Sequence, residues 1–394
     1  MEMDAQAYKL PSGNRLTTVA LVVAAIGIIA SVAGYFADGP RFFHSYLTAY
    51  VFWVSIGLGS LFFVMLHYLV SAQWSIAVRR LVECVMITLP VMAVFFIPIA
   101  FGLHDLYHWS HHDAVATDQL LQMKSPYLNV GFFIIRTVLY FAIWFVLAFV
   151  LYRASITEDA GYDEARRARI RRLSAGGMIL FAFTTTFAAF DWMMSLDAHW
   201  YSTIFGAYYF AGCVVGALCF VTIVAIGLRK RGLLADMITV EHYNDLGKLT
   251  FAFMIFWGYM AFSQYFLIWY GNIPEETVWF AHRWTGSWIA VSLALVFGHF
   301  VIPFILLMPK MVKRRLGFLV GITAWLLIAH WVDMFWLVLP GHTPEGAQFS
   351  WIDLATMMAI GGVFLGLFWR RLSAQALIPV GDPKLQASVH TISH

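Results

Sequence analysis

The stretch TIFGAYYFAGCVVGALCFVTIVAIGL, residues 203–228, carries no charged side chain and is followed at once by Arg229, Lys230 and Arg231. A run of this length can cross the ~30 Å hydrocarbon core of a bilayer as a helix, which alone satisfies its own backbone polar groups there. The same pattern recurs along the 394-residue chain, which is 61% apolar and only 12% charged. Its charges gather in short clusters between the apolar runs. Ten spans are predicted, at 16–37, 46–71, 81–103, 128–152, 172–195, 203–228, 248–270, 281–308, 316–339 and 351–370. The expected fold class is therefore all-α: a polytopic membrane protein with ten transmembrane helices, one integral-membrane domain over 1–394.

Lys and Arg orient the spans, because cytoplasmic segments retain positive charge during insertion. With both termini cytoplasmic, 21 of the 25 Lys and Arg fall in inner segments, and only Arg41, Lys124, Arg136 and Arg283 fall elsewhere. Spans two to five and six to nine are equal in number and start in the same direction. Two four-helix bundles plus two peripheral helices are the expected arrangement, with Gly57, Gly59, Gly176, Gly177, Gly361, Gly362 and Gly366 suited to close packing. The first apolar run follows Glu2, Asp4, Lys9 and Arg15 and is too long for a signal-peptide core, so it is expected to be a retained span. The polar tail from 373 is expected to lie along a partner.

The formal charge of +3 resides in the inner loops and suits anionic lipid headgroups rather than nucleic acid. Cys84, Cys213 and Cys219 fall inside predicted spans with no CxxC or CxxCH arrangement, which argues against an iron–sulfur cluster or covalent haem held by this chain. The intramembrane His67, His299 and His330 show no paired spacing within one helix, so haem b is not expected either. The group His104, Asp105, His108, His111, His112 and Asp113 has helical spacing that zinc would accept. Its neighbours Tyr107 and Trp109 read instead as an interfacial belt, and a hydrogen-bonded cap at a partner interface is the expected role, with no metal.

Charged groups at membrane depth cost ~2.5–3.5 kcal/mol each on insertion scales, so they default to functional hypotheses. Topology places Arg136, Asp191, Gln264, His330 and Asp333 in the outer half, and His67, Glu83 and His299 in the inner half. His330 and Asp333 share a helix face, so the carboxylate could orient and charge the imidazole. As a proton pathway, Asp191 and Asp333 with His330 would form an outer exchange cluster. His67, Glu83 and His299 would form an inner access, and Thr184 with Thr185 and Thr186 a bridge. Each has a plainer reading. Arg136 and Asp191 could be a structural ion pair, Glu83 could serve Arg79 and Arg80, and a Thr hydroxyl commonly bonds its own helix.

Five stretches carry a resemblance: FFIIRTVLYFAIW at 132–144, FDWMMSLDAHWYSTIFGAYYFAG at 190–212, KLTFAFMIFWGYMAFSQYFLIWYGNIPEET at 248–277, HFVIPFILLMPK at 299–310 and HWVDMFWLVLP at 330–340. The chain resembles, over essentially its whole length, the NrfD-like (polysulfide-reductase-type) membrane subunits of bacterial alternative complex III, and the second of the two in particular. Ala198 departs from the pattern, which has Pro there. The resemblance implies a non-catalytic subunit of a quinol:cytochrome c oxidoreductase, or one passing electrons directly to an oxidase, in a bacterial inner membrane. Its implied partners are a sister NrfD-like subunit, an iron–sulfur subunit, multi-haem cytochrome c subunits and a terminal oxidase, with haem c and iron–sulfur clusters held in those partners. It also implies a polar-pathway role for Arg136, Asp191, Gln264, His330 and Asp333. Three alternatives stay open: a quinol site in this chain, a secondary ion or proton transporter, and a passive anchor.

Overall fold

The computed structural model describes residues 8–11 and 13–391; Glu2 and Asp4 lie outside the described residues. Among these, ten helices are long and apolar enough to cross a membrane: α1 (Arg15–Ala37), α2 (Gly39–Val70), α3 (Ile76–Phe101), α4 (Val130–Glu158), α5 (Glu164–Leu196), α6 (Phe205–Lys230), α7 (Val240–Gly271), α8 (Trp288–Leu307), α9 (Leu316–Val338) and α10 (Trp351–Ala374). Their number and composition are those of a multi-pass membrane protein.

Several helices outrun the predicted spans because local caps, which hydropathy does not register, set their ends. α2 starts at Gly39 rather than 46: the Asp38 carboxylate accepts the Arg41 backbone N–H at 3.0 Å, and Pro40 occupies the first turn, where its missing N–H costs nothing. Asp163 caps α5 and Thr239 with His242 boxes the start of α7, so both begin a full turn or more before the apolar stretch. α8 is shorter than expected. Residues 281–283 belong to a separate helix, Pro274–Arg283, and the span starts at Trp288.

Two spans are irregular. α3 is assembled from Ile76–Met86, Leu89–Phe95 and Ile97–Phe101, and Pro90 and Pro98 open the second and third pieces. α8 contains a π-helical segment, Leu295–Val301, around His299. Such segments are rare and concentrate where a side chain has to be re-aimed.

α2 and α6 form the centre: 83% and 89% of their apolar windows are buried, against 22% for α1, α7 and α8, which turn most of their surface outward. The two central helices pack directly on each other. Gly59 permits this, since a Cβ there would strike the Cys213 carbonyl oxygen. α2 also contacts α5, α9 and α10, and α6 contacts α5, α7 and α9, while α1 packs mainly on α10. Gly176 faces open space, so packing does not account for it.

The Lys- and Arg-rich loops gather at one end of the helices, called here the basic end. The tail folds back onto it. Leu377, Ile378 and Leu385 are fully buried, and the Leu377 N–H donates to the Tyr8 carbonyl at 2.9 Å. The tail thus packs on its own chain; residues 392–394 of it lie outside the described residues.

Candidate functional site

Asp333 lies buried on α9 where α6, α7, α8 and α2 converge. One carboxylate oxygen accepts the Tyr208 hydroxyl of α6 and the other the Trp257 indole N–H of α7, the latter at 3.0 Å. Among the described residues no Lys or Arg forms an ion pair with it. A carboxylate held by two neutral donors and no cation can take up a proton without breaking an ion pair.

His330, one turn away, is held differently. Its Nε2 meets the Ser55 hydroxyl of α2 at 2.8 Å, and that hydroxyl already donates to the Phe52 carbonyl at 2.6 Å. The imidazole must then donate from Nε2, which leaves Nδ1 a buried nitrogen without a partner among the described residues. Gly212 and Gly216 of α6 make room for the ring; a Cβ on either would stand 3.0 or 3.1 Å from it. His299 lies against Trp257 with centroids 3.9 Å apart and rings tilted by 32°, is 6.4 Å from His330 between centroids, and has both ring nitrogens unpartnered among the described residues. Each unsatisfied buried nitrogen costs about 1–3 kcal/mol. A neutral imidazole keeps one nitrogen lone pair, so His330 at Nδ1 and His299 at one of its two ring nitrogens each have what proton acceptance requires.

Two expectations are corrected here. Asp333 does not orient His330, because both carboxylate oxygens face α6 and α7 while the imidazole faces α2. His299 does not join His67 and Glu83: the π-helical segment sets it against Trp257 and His330, so the two intramembrane histidines of α8 and α9 form one cluster with Asp333.

Arg136 and Asp191 do meet. The guanidinium is bidentate on the carboxylate, Nε to Oδ2 at 2.9 Å and Nη2 to Oδ1 at 2.8 Å, and the Tyr140 hydroxyl adds a third bond at 2.7 Å. Arg136 also donates to the Tyr127 carbonyl at 2.8 Å and lies over the Tyr127 ring. This closed arrangement clamps α4 to α5. The Thr184 hydroxyl donates to the Leu180 carbonyl of its own helix and accepts the Trp144 indole N–H, so it fastens Trp144 rather than continuing a chain from Asp191. Gln264 accepts the Ser202 hydroxyl at 3.1 Å and ties the 197–204 loop to α7, apart from both carboxylates.

At the basic end, His67 and Glu83 are built into an ion network. Arg79 lies 3.1 Å from Glu83, 3.3 Å from Glu158 and 2.8 Å from Asp382 of the tail, and donates to His67 Nε2 at 3.1 Å. His67 Nδ1 then donates to Ser75 at 2.7 Å. Arg80 pairs with Glu83 and Asp159, Ser155 donates to Glu83, and Arg167 bridges Glu158 and Asp382. Burial alone would raise the Asp382 carboxyl, but the Arg79 and Arg167 guanidiniums override it and hold it below the ordinary carboxylate range. Every polar atom of the His67 ring is used, so this network reads as a seam between loops and tail, not as an open access.

At the opposite end a cleft of about 350 Å³ is lined by His44, His104, His108, His111, His342 and Asp105 together with Leu196 and Val338. Leu196 ends the helix that carries Asp191, and Val338 ends the one that carries Asp333. His44 and His342 stack at 4.3 Å. His44 donates from Nδ1 to the Pro40 carbonyl at 2.8 Å, and His111 donates from Nε2 to the His104 carbonyl at 2.8 Å, so each keeps one ring nitrogen available. Burial, then the Arg41 guanidinium, lowers the His342 imidazole. No three His, Cys, Asp or Glu side chains among the described residues are arranged to hold a metal ion.

Sequence reasoning missed Tyr140, Tyr208, Trp257, Ser55, His44, His342 and Asp382. Spacing could have flagged only Tyr140, four residues after Arg136 on one helix face; the others become partners through tertiary packing. No family model matches the chain, and no curated protein matches it.

Proposed function

We propose that this chain is an integral subunit of a quinol:cytochrome c, or quinol:electron-acceptor, oxidoreductase of the alternative complex III type, contributing part of a transmembrane proton pathway. In this reading it sits in a bacterial inner membrane with both termini and the basic end cytoplasmic. Its spans are grouped as two four-helix bundles with α1 and α10 peripheral. Haem c and iron–sulfur clusters belong to partner subunits, and this chain is not itself the catalyst. The resemblance of the five stretches suggests the complex.

The observation that carries the proton role is Asp333: buried, held by Tyr208 and Trp257, and, among the described residues, free of any cation partner and beside two histidines with unpartnered nitrogens. An ionisable residue at membrane depth is costly, and such residues mark ion pathways and proton relays. The histidine-lined cleft supplies titratable groups at the end of the same helix, where Val338 of α9 is among its lining residues. Asp191 has the clamping role its ion pair with Arg136 implies.

The test is purification through a tag on this chain in mild detergent, with co-purifying proteins identified and quinol:cytochrome c turnover assayed. Multi-haem and iron–sulfur partners with turnover support the reading. A lone chain without redox partners contradicts it.

A secondary transporter is the second reading, favoured by one observation. The two irregular spans, α3 and α8, are the third of the first five and the third of the second five. Inverted five-helix repeats place interrupted helices at corresponding positions.

A further inference from the structure

The arginines around the α4–α5 turn divide by face. Arg167 turns inward and is locked onto Glu158 and Asp382 at 2.8 Å, beside the equally locked Arg79 and Arg80. Arg153, Arg166 and Arg169 turn the other way and line a cavity of about 540 Å³ between α4 and α5. Here carboxylates are scarce. Arg153 forms no ion pair among the described residues and lies 5.5 Å from the Phe149 ring centroid. Arg166 and Arg169 share one Asp163 oxygen at 3.8 and 4.0 Å, too long for hydrogen bonds.

The direction of the two helices orders this cavity by depth. α4 runs toward the basic end, so Phe149 and Val150 lie one turn deeper in the apolar layer than Arg153. α5 runs away from that end, so Ile170 and Leu173 lie deeper than Arg166 and Arg169. Three guanidiniums thus stand at the membrane boundary above an apolar wall that continues into lipid, where Phe145, Ile179 and Leu180 are exposed. Guanidinium forks match phosphate oxygens, and basic pockets between transmembrane helices at this level suit anionic headgroups. A free phosphate would leave the apolar wall unused.

We propose that this cavity is a binding site for an anionic glycerophospholipid, with its headgroup phosphate on Arg153, Arg166 and Arg169 and one acyl chain along Phe149, Val150 and Leu173. This site is independent of the proton pathway.

The full-length protein in neutral detergent, mixed with phosphatidylglycerol and phosphatidylcholine of identical acyl chains, is weighed intact by native mass spectrometry. Phosphatidylglycerol is retained in preference to phosphatidylcholine, and inorganic phosphate does not displace it. Arg153→Gln/Arg166→Gln/Arg169→Gln reduces that preference on the order of a hundredfold. Arg153→Gln alone, which breaks no ion pair, gives a smaller loss and guards against a folding defect in the triple variant. Equal retention of the two lipids by the wild type, an unchanged preference in both variants, or full displacement by inorganic phosphate overturns the proposal.

Discussion

Asp333 and His330 stand one turn apart on α9 and turn to different neighbours, the carboxylate to Tyr208 and Trp257 and the imidazole to Ser55. The two groups can therefore be perturbed separately. Tyr208→Phe leaves a buried carboxylate oxygen without its donor and should cost about 1–3 kcal/mol. Ser55→Ala removes the partner of His330 and a bond to the Phe52 carbonyl, and leaves both bonds to Asp333 in place. Their effects on thermal unfolding in detergent should add within about 0.5 kcal/mol, as for sites without shared partners. Strong non-additivity would mean that the carboxylate and the imidazole act as one unit.

The Arg136–Asp191 clamp predicts a different response. Asp191→Asn leaves a buried guanidinium facing an amide, and breaking a buried pair from one side costs about 3–5 kcal/mol. Asp333→Asn, which strands no cation, should shift the unfolding temperature far less. Arg136→Gln/Asp191→Asn should recover much of the loss, because no lone charge remains. Equal destabilisation by the two Asp→Asn variants would contradict the division of roles between these carboxylates.

Asp382 predicts how the tail responds to pH. Its carboxyl is held below the ordinary range by Arg79 and Arg167, so its contribution is fully present above the unfolded-state value of about 3.9 and is lost as pH falls through the lower folded value. Protection of the backbone amides over residues 376–391, taken relative to their intrinsic exchange rate at each pH, should hold from about pH 5 to 8 and fall only in stronger acid. Asp382→Asn should lower that protection already at neutral pH. Rapid exchange in the wild type at neutral pH would show that the ion network does not hold the tail.

Gly59 predicts a packing limit between the two central helices. A side chain there meets the Cys213 backbone, which cannot give way as a flexible side chain would. Gly59→Ala should therefore destabilise by about 1–3 kcal/mol, the usual range for overpacking, whereas Gly176→Ala, in open space, should be near neutral. Thermal unfolding of the two variants side by side checks this.

The spans were legible because hydropathy is a local property, and the ten apolar runs correspond to ten membrane-length helical spans. Their ends were not. The first turns of α5 are charged, from Glu164 to Arg172, and continue as helix only because Asp163 caps them. The Arg136–Asp191 pair could be anticipated from equal depth on consecutive antiparallel helices. The companions of Asp333 could not, since nothing in the sequence distance between Tyr208, Trp257, His299 and Asp333 says that four helices bring them together. His299 was misgrouped because the π-helical segment that re-aims it leaves no hydropathy signature.

The most direct test of the proton role is proton movement by the purified holo-complex in sealed liposomes, with quinol oxidation and internal pH followed together in wild type and Asp333→Asn. If Asp333 carries protons, the variant oxidises quinol but moves at least about tenfold fewer protons per turnover, in line with the loss of a positioned acid–base group. An unchanged proton-to-electron ratio in a fully assembled Asp333→Asn complex would contradict it.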